Sequence, residues 1–217
     1  MRVLMIAAPG AGKGTQGERI AEHFAVPHIA TGDLLRDHVA RQTELGREVK
    51  QYLDSGDLVP DDVVLDMVRE AMEAAKQDSG GYVLDGLPRT MKQARRLYET
   101  AVELEMTATA ALHLEVGEDE LLRRLLARAD HEKRSDDSED VIRRRLTLYR
   151  EVTGPILDWY DERGILVSVA ADRPVDDVTR EVLGALDVLA SVADQIPEGG
   201  RRSVDLTGLD AAFGAAR

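Results

Sequence analysis

The amino-acid sequence predicts an α/β domain: a five-stranded parallel sheet with helices on both faces. Five short apolar runs recur along the 217 residues, separated by stretches with helical spacing. Strands buried on both sides read as unbroken apolar runs, and parallel neighbours need helical crossovers between them. The first run passes directly into a glycine-rich turn and then a helix. Charges interrupt every apolar stretch well short of the ~18 residues of a membrane span, and the length suits one good-sized domain.

Val3 to Ala7 is continuously apolar and predicts a buried strand rather than a signal peptide, because it runs into glycines and not into a cleavage site. Gly14 to Phe24 places Ile20, Ala21 and Phe24 at helical spacing, and Pro27 to Ala30 is a short second strand. Leu34 to Leu53 reads as two helical pieces parted near Gly46, followed by a turn at Ser55-Gly56-Asp57. Asp61 and Asp62 open an amphipathic helix through Val64, Leu65, Val68 and Met72. Tyr82 to Leu84 is a third strand ending at Asp85-Gly86, Met91 to Leu104 a helix, and Thr109 to Val116 a fourth strand. Glu118 to Arg128 is helical, Ala129 to Asp140 is very polar, and one long helix is expected over Val141 to Asp161. Gly164 ends it, Ile165 to Ala170 is the fifth strand, and Pro174 to Val192 is the closing helix. Residues 194–217 change in composition and read as a tail on a core of residues 1–193.

Charge narrows the function classes. Against 28 basic residues stand 41 acidic ones, a net charge of −13. Such a chain is a poor general binder of nucleic acid or anionic membrane, both polyanions. If it handles phosphates, its cations must be gathered in one place. The sequence has no cysteine, which excludes disulfides and thiolate metal sites and is compatible with a reducing cytosol.

The strand-to-helix turn is Ala7-Ala8-Pro9-Gly10-Ala11-Gly12-Lys13-Gly14-Thr15-Gln16. Glycines let successive backbone N–H groups face one concave spot, the helix start adds its dipole, and the lysine supplies a cation for β/γ phosphates. This loop strongly resembles the phosphate loop of adenylate kinases, within the nucleoside-monophosphate kinases, and the likeness extends over about residues 1–190. It departs at Ala7, where the usual loop starts with glycine.

The resemblance implies a P-loop NTPase-type sheet with two small subdomains, an acceptor-binding part at 31–60 and a lid at 124–140. It implies phosphoryl transfer from ATP to AMP, giving two ADP with Mg²⁺, and Gly10, Ala11, Gly12, Lys13, Gly14 and Thr15 around the ATP phosphates. Thr31-Gly32-Asp33-Leu34-Leu35-Arg36 by itself predicts a helix start, capped by Thr31 or Asp33, with Arg36 paired to a neighbouring acid. By resemblance Thr31 meets the AMP base and Arg36 its phosphate, while the backbone of Asp57, Leu58 and Val59 lies along the base. Asp85-Gly86-Leu87-Pro88-Arg89-Thr90 stands at a strand's carboxyl end, where α/β folds place ligands. An acid there can hold the water shell of Mg²⁺, with Asp33 and Thr15 nearby, and an arginine can fork onto phosphate oxygens. Gly86, Leu87, Pro88 and Arg89 match the family's AMP segment, and Gln93 its adenine-binding glutamine.

Arg124 and Arg128 share a helix face, and Arg134 and Arg145 follow. Alone, such arginines form a solvated face paired with acids. By resemblance Arg124, Arg134 and Arg145 join Lys13 and Arg89 as catalytic cations, with Arg134 and Arg145 also on AMP. Arg128 joins the ATP contacts, the segment Arg173-Pro174-Val175 more loosely matches the place where the family's backbone touches the ATP adenine, and Asp136 and Asp137 orient the lid arginine. The lid is short and free of cysteine, so no zinc is expected. His113 and His131 are expected to be structural or solvated, since a phosphate acceptor needs no base. The expected protein is a cytoplasmic monomer that binds ATP, AMP and ADP, without nucleic-acid or membrane partners. Two alternatives stay open: a kinase for another nucleoside monophosphate, and a nucleotide-binding sensor with impaired catalysis, supported by Ala7 and the tail.

Overall fold

The N-terminal apolar run forms β1 (Arg2–Ala7), and no residue from Val3 to Ala7 is more than 7% exposed. The structure is a computed structural model; it describes residues 1–132 and 138–193, with side chains through 129 and from 138 to 191. Beside β1 run β3 (Tyr82–Asp85) and β4 (Ala110–Glu115), flanked by β2 (His28–Ala30) and β5 (Leu166–Ala170). The order is β2-β3-β1-β4-β5, every pair parallel, with Leu4 in register with Leu84 on one side and Ala111 on the other. The expected fold class is present.

Alternation along β1 builds two cores. Val3, Met5 and Ala7 face one layer with α1 (Lys13–Phe24), α6 (Glu118–Glu132), α7 (Glu139–Leu148) and α9 (Val175–Ala193). Leu4 and Ile6 face the other, with α2 (Thr31–Ala40), α3 (Glu44–Ser55), α4 (Asp61–Asp78), α5 (Met91–Glu103) and α8 (Ile156–Asp161). Successive strand residues point to opposite faces, so one apolar strand seeds both layers. Because all strands run the same way, Ala7, Ala30 and Asp85 end at one edge of the sheet. The site lies there.

Several boundaries differ from the sequence expectation. The first helical pair breaks at 41–43, not near Gly46, and α2 starts at Thr31 rather than Leu34. Thr43 caps α3 by accepting from the Gly46 N–H at 3.0 Å. Gly46 sits inside the helix because a Cβ there would collide with the His38 carbonyl of α2. That glycine marks a close helix approach and not a helix end. The expected long helix over 141–161 is divided into α7, a π-turn (Tyr149–Thr153) and α8. Pro155 has no N–H and cannot continue the ladder, and the Gly154 N–H reaches back five residues to the Tyr149 carbonyl at 2.8 Å. Helix α6 also runs past Arg128 to Glu132. Arg134, Asp136 and Asp137 lie outside the described residues, as does the tail at 194–217; no side chain is described for His131.

Candidate active site

The phosphate loop leaves β1 and enters α1 through Gly12, a helix start with no side-chain cap. Two of its glycines are required by backbone conformation: Gly10 has φ 85° and Gly12 φ 96°. A Cβ on Gly10 would also stand 2.9 Å from Leu125 Cγ and 3.2 Å from the Leu121 carbonyl, because α6 packs directly on the loop. Gly14 has open space around it and lines a cavity. Ala11 is buried behind the loop. Ala7 keeps the extended, negative-φ backbone of its strand, so its methyl group costs no strain. Ala7→Gly is therefore expected to change ATP affinity less than about threefold. It should lower the melting temperature slightly, through added freedom of the unfolded chain. ATP titration and thermal melts check this; tenfold tighter binding by the glycine variant would show that Ala7 damages the loop.

Lys13 folds back, donating from Nζ to the Ala7 carbonyl at 2.8 Å and the Ala8 carbonyl at 3.1 Å. It lines a cavity of about 450 Å³ whose walls include Gly10, Gly12, Thr15, Arg124 and Arg128 on the loop side. Asp33, Arg36, Leu58, Asp85, Gly86, Pro88, Arg89 and Arg145 form the facing side. A smaller cavity of about 50 Å³ adjoins it, walled by Thr31, Asp57, Val59, Leu87 and Gln93. Arg36, Arg89 and Arg145 line both. An acidic protein thus gathers its cations where two anion-sized spaces meet.

Neighbouring groups aim these cations. Arg124 donates through Nε to Glu120 at 2.6 Å and through Nη2 to the Ala171 carbonyl at 3.0 Å. Hydrogen bonds from Arg123 and Arg124 hold the Glu120 carboxyl down to about 2. The three consecutive arginines of α7 diverge: Arg143 pairs with Glu139 at 2.7 Å, Arg144 reaches Asp57, and Arg145 turns into the cavity. Arg143 and Arg144 form a solvated, acid-paired face. Arg36 pairs with Asp33 at 2.5 Å, an expected partner. Arg173 does not line either cavity, since its guanidinium is occupied by Glu181 and the Ala170 carbonyl.

The acceptor wall is tightly bonded. Arg89 donates through Nε to the Gly86 carbonyl at 2.7 Å, its N–H reaches Gln93 Oε1 at 2.7 Å, and its carbonyl accepts from Thr153 Oγ1 at 2.9 Å. Gln93 Nε2 donates to Asp61 at 2.8 Å. Thr31 does not cap α2: the cap position is Ala30, and the Thr31 hydroxyl donates to the Asp85 carbonyl at 3.1 Å. The hydroxyl is drawn inward because Thr31, only 2% exposed, has a strand-end carbonyl within reach.

Several of these residues were not legible as functional. Asp61 reads only as a helix opener, and Thr153 and Tyr149 lie in the π-turn that the sequence pattern hides. Both line the larger cavity. The Tyr149 hydroxyl lies 3.1 Å from His113 Nε2, and burial pushes the His113 imidazole down, the behaviour of a structural histidine.

Comparison with known proteins agrees with this geometry. The Adenylate kinase family model matches residues 5–165. The chain belongs to the adenylate kinase family. It is 47% identical over 186 residues to the adenylate kinase of Nocardia farcinica, covering 86% of this chain and 99% of the relative. Identity is 46% to that of Kocuria rhizophila and 43% to that of Thermobifida fusca, each covering 86% of this chain and 98% of the relative. The chain is an adenylate kinase-type phosphotransferase, passing phosphoryl from ATP to AMP to give two ADP.

In this adenylate kinase the ammonium of Lys13 is poised to respond to a polyphosphate. Although the residue is only partly buried, desolvation of its ammonium lowers its pKa to about 8. Asp85 opposes that shift, while Arg89, Arg145 and Arg128 reinforce it. A bound triphosphate supplies negative charge and must raise it again. At pH 8.5 the free protein would hold part of its Lys13 neutral, so ATP binding should take up a fraction of a proton. Calorimetry in buffers of different ionisation enthalpy reads this uptake. An equal enthalpy in all buffers at pH 8.5, with unchanged affinity from pH 7 to 9, would contradict the assignment.

Proposed function

We propose that the larger cavity holds ATP on the phosphate loop and the smaller one holds AMP, with phosphoryl transfer where they adjoin. The supporting observation is the shared wall of Arg36, Arg89 and Arg145, three cations between a phosphate loop and a second recess lined by Thr31 and Gln93. In this assignment Gly10 to Thr15, Arg124 and Arg128 engage the donor. Thr31, Arg36, the segment Asp57 to Val59, Gly86 to Arg89 and Gln93 engage the acceptor. Residues 31–60 form the acceptor subdomain and 124–140 a short lid, with Arg134 contributing from the lid.

The AMP phosphate is already an anionic nucleophile, so no side chain has to remove a proton. Its oxygen attacks the γ-phosphorus of ATP, ADP leaves, and charge spreads over the transferred oxygens. Lys13, Arg89, Arg124 and Arg145 stabilise that charge from fixed positions, so little reorganisation remains for the reaction itself. Asp85, Asp33 and Thr15 line the Lys13 cavity with hard oxygen donors, which suits Mg²⁺, an ion that keeps several of its own waters. Bound there with ATP, the ion would neutralise β- and γ-phosphate charge. The net charge of −13 counts against polyanionic partners such as nucleic acid or anionic membrane, and the enzyme is proposed to be monomeric and cytoplasmic. Among the described residues no helix is long and apolar enough to cross a membrane.

The test is a coupled assay of ADP formation from ATP with AMP, GMP, CMP or UMP as acceptor. AMP should be preferred by at least a hundredfold in kcat/KM, because the recess presents fixed polar groups to the base. Equal use of a pyrimidine monophosphate would overturn the acceptor assignment.

A further inference from the structure

We propose that Asp61 determines acceptor specificity: from outside the recess, it fixes the Gln93 carboxamide so that the pocket accepts a 6-aminopurine and rejects a 6-oxopurine. The proposal rests on the assignment of Gln93 to the acceptor base and deepens it. Gln93 is 2% exposed and lines the smaller cavity, whereas Asp61 does not line it. The two ends of a primary amide have nearly the same shape, so burial alone cannot choose between its two orientations. Polarity chooses here. Nε2 lies 2.8 Å from Asp61 Oδ1, and Oε1 lies 2.7 Å from the Arg89 backbone N–H. A carboxylate only accepts and a backbone N–H only donates. Turned over, the amide would set oxygen against carboxylate and NH₂ against N–H. The Lys92 ammonium, 3.2 Å from the other Asp61 oxygen, and the start of α4 hold the carboxylate in place.

With Oε1 engaged by the Arg89 N–H and Nε2 by Asp61, Gln93 keeps one acceptor lone pair and one N–H to offer. Thr31 adds to this polarity, because its hydroxyl proton is committed to the Asp85 carbonyl and its oxygen can then only accept. Thr31 and Gln93 together therefore offer a base two acceptors and one donor. A 6-aminopurine presents an amino donor beside the N1 acceptor, the complementary pattern. A 6-oxopurine presents an O6 acceptor beside an N1–H donor, the inverse. Fixed buried groups that meet the wrong pattern are left unpaired, which is how polar sites discriminate strongly. Reading 6-oxopurines would require the amide to turn over, and Asp61 opposes that more strongly than a neutral partner would.

Asp61→Asn retains shape and helix start but can offer either oxygen or NH₂ to Gln93. The measurement is kcat/KM for AMP and for IMP at saturating ATP. The AMP-over-IMP preference should fall at least tenfold in Asp61→Asn, chiefly through improved use of IMP, with little change in KM for ATP. Asp61→Glu, which keeps an acceptor-only group, should retain most of the preference. A preference within twofold of wild type in Asp61→Asn overturns the proposal. Gln93→Leu separates the two levels. If it loses the preference while Asp61→Asn keeps it, Gln93 reads the base and Asp61 does not set it. If Gln93→Leu keeps the preference, the base contact itself is wrong and the proposal falls with it. Should Asp61→Asn fold poorly, Asp61→Ser offers the same donor-or-acceptor ambiguity and is judged by the same ratio.

Discussion

Lys13→Ala should lower turnover by at least about 10²–10³-fold, the scale of removing one preorganised oxyanion donor, while leaving the protein folded. The lysine holds a desolvated charge against the larger cavity and, among the described residues, makes two hydrogen bonds, to the Ala7 and Ala8 carbonyls. Its loss removes transition-state stabilisation that no neighbour can replace, because Arg89, Arg128 and Arg145 approach from other walls. Stability should move the other way. The folded pKa of about 8 lies below the ordinary lysine value of 10.5, so the protonated form is the one that folding disfavours. At pH 7 Lys13 is charged in both folded and unfolded chains, and the shift costs the free protein roughly 3 kcal/mol. As pH rises from about 8 towards 10.5, the unfolded chain binds more protons than the folded one, and this cost is relieved. Lys13→Ala should thus melt at or above wild type at pH 7, with the gap narrowing by pH 10. Single-turnover kinetics with circular dichroism melts supply both readouts, and near-normal turnover would sink the catalytic assignment.

Arg89→Ala should be as severe or worse. Its guanidinium, anchored through Nε to the Gly86 carbonyl, lines both cavities, and in the proposed assignment the transferred phosphoryl passes between them. Arginines placed on a transferring phosphoryl contribute about 10³–10⁵ in rate. The backbone of Arg89 is held separately, by Gln93 and Thr153. Truncating the side chain therefore leaves the turn in place, and the lost rate can be read as chemistry rather than misfolding. Arg89→Lys should recover less than about a tenth of the activity, because an ammonium cannot hold the Gly86 carbonyl and fork onto two phosphate oxygens at once. Steady-state kcat with KM for each nucleotide checks it. A kcat within tenfold of wild type in Arg89→Ala would remove Arg89 from the reaction centre.

The strands and the phosphate loop were the most legible parts, for a local physical reason. Val3 to Ala7 is apolar at every position, and only a strand covered on both faces buries all of it. Gly10 and Gly12 are needed for backbone angles that a side chain would strain, so they announce themselves by residue type. The break at 41–43 was misplaced because a glycine inside a helix looks like a helix end. Only the packed partner, the His38 carbonyl, shows that Gly46 serves close contact. The division of the long helix escaped because helical spacing persists through Tyr149–Thr153 while the hydrogen-bond ladder changes.

Residue types in local order thus determined the sheet, the loop chemistry, the concentration of cations and, with the family likeness, the reaction. Tertiary structure decided which cations matter and how they are aimed. Arg143, Arg144 and Arg145 are identical in type and adjacent in sequence, yet one pairs with Glu139, one with Asp57, and one lines the cavity. The Arg173 guanidinium is held by Glu181, a neighbour eight residues along the chain. The orientation of Gln93 depends on Asp61, 32 residues earlier. A charge's neighbours and a buried amide's polarity are set by groups distant in the chain, and only folding brings those groups within hydrogen-bond reach.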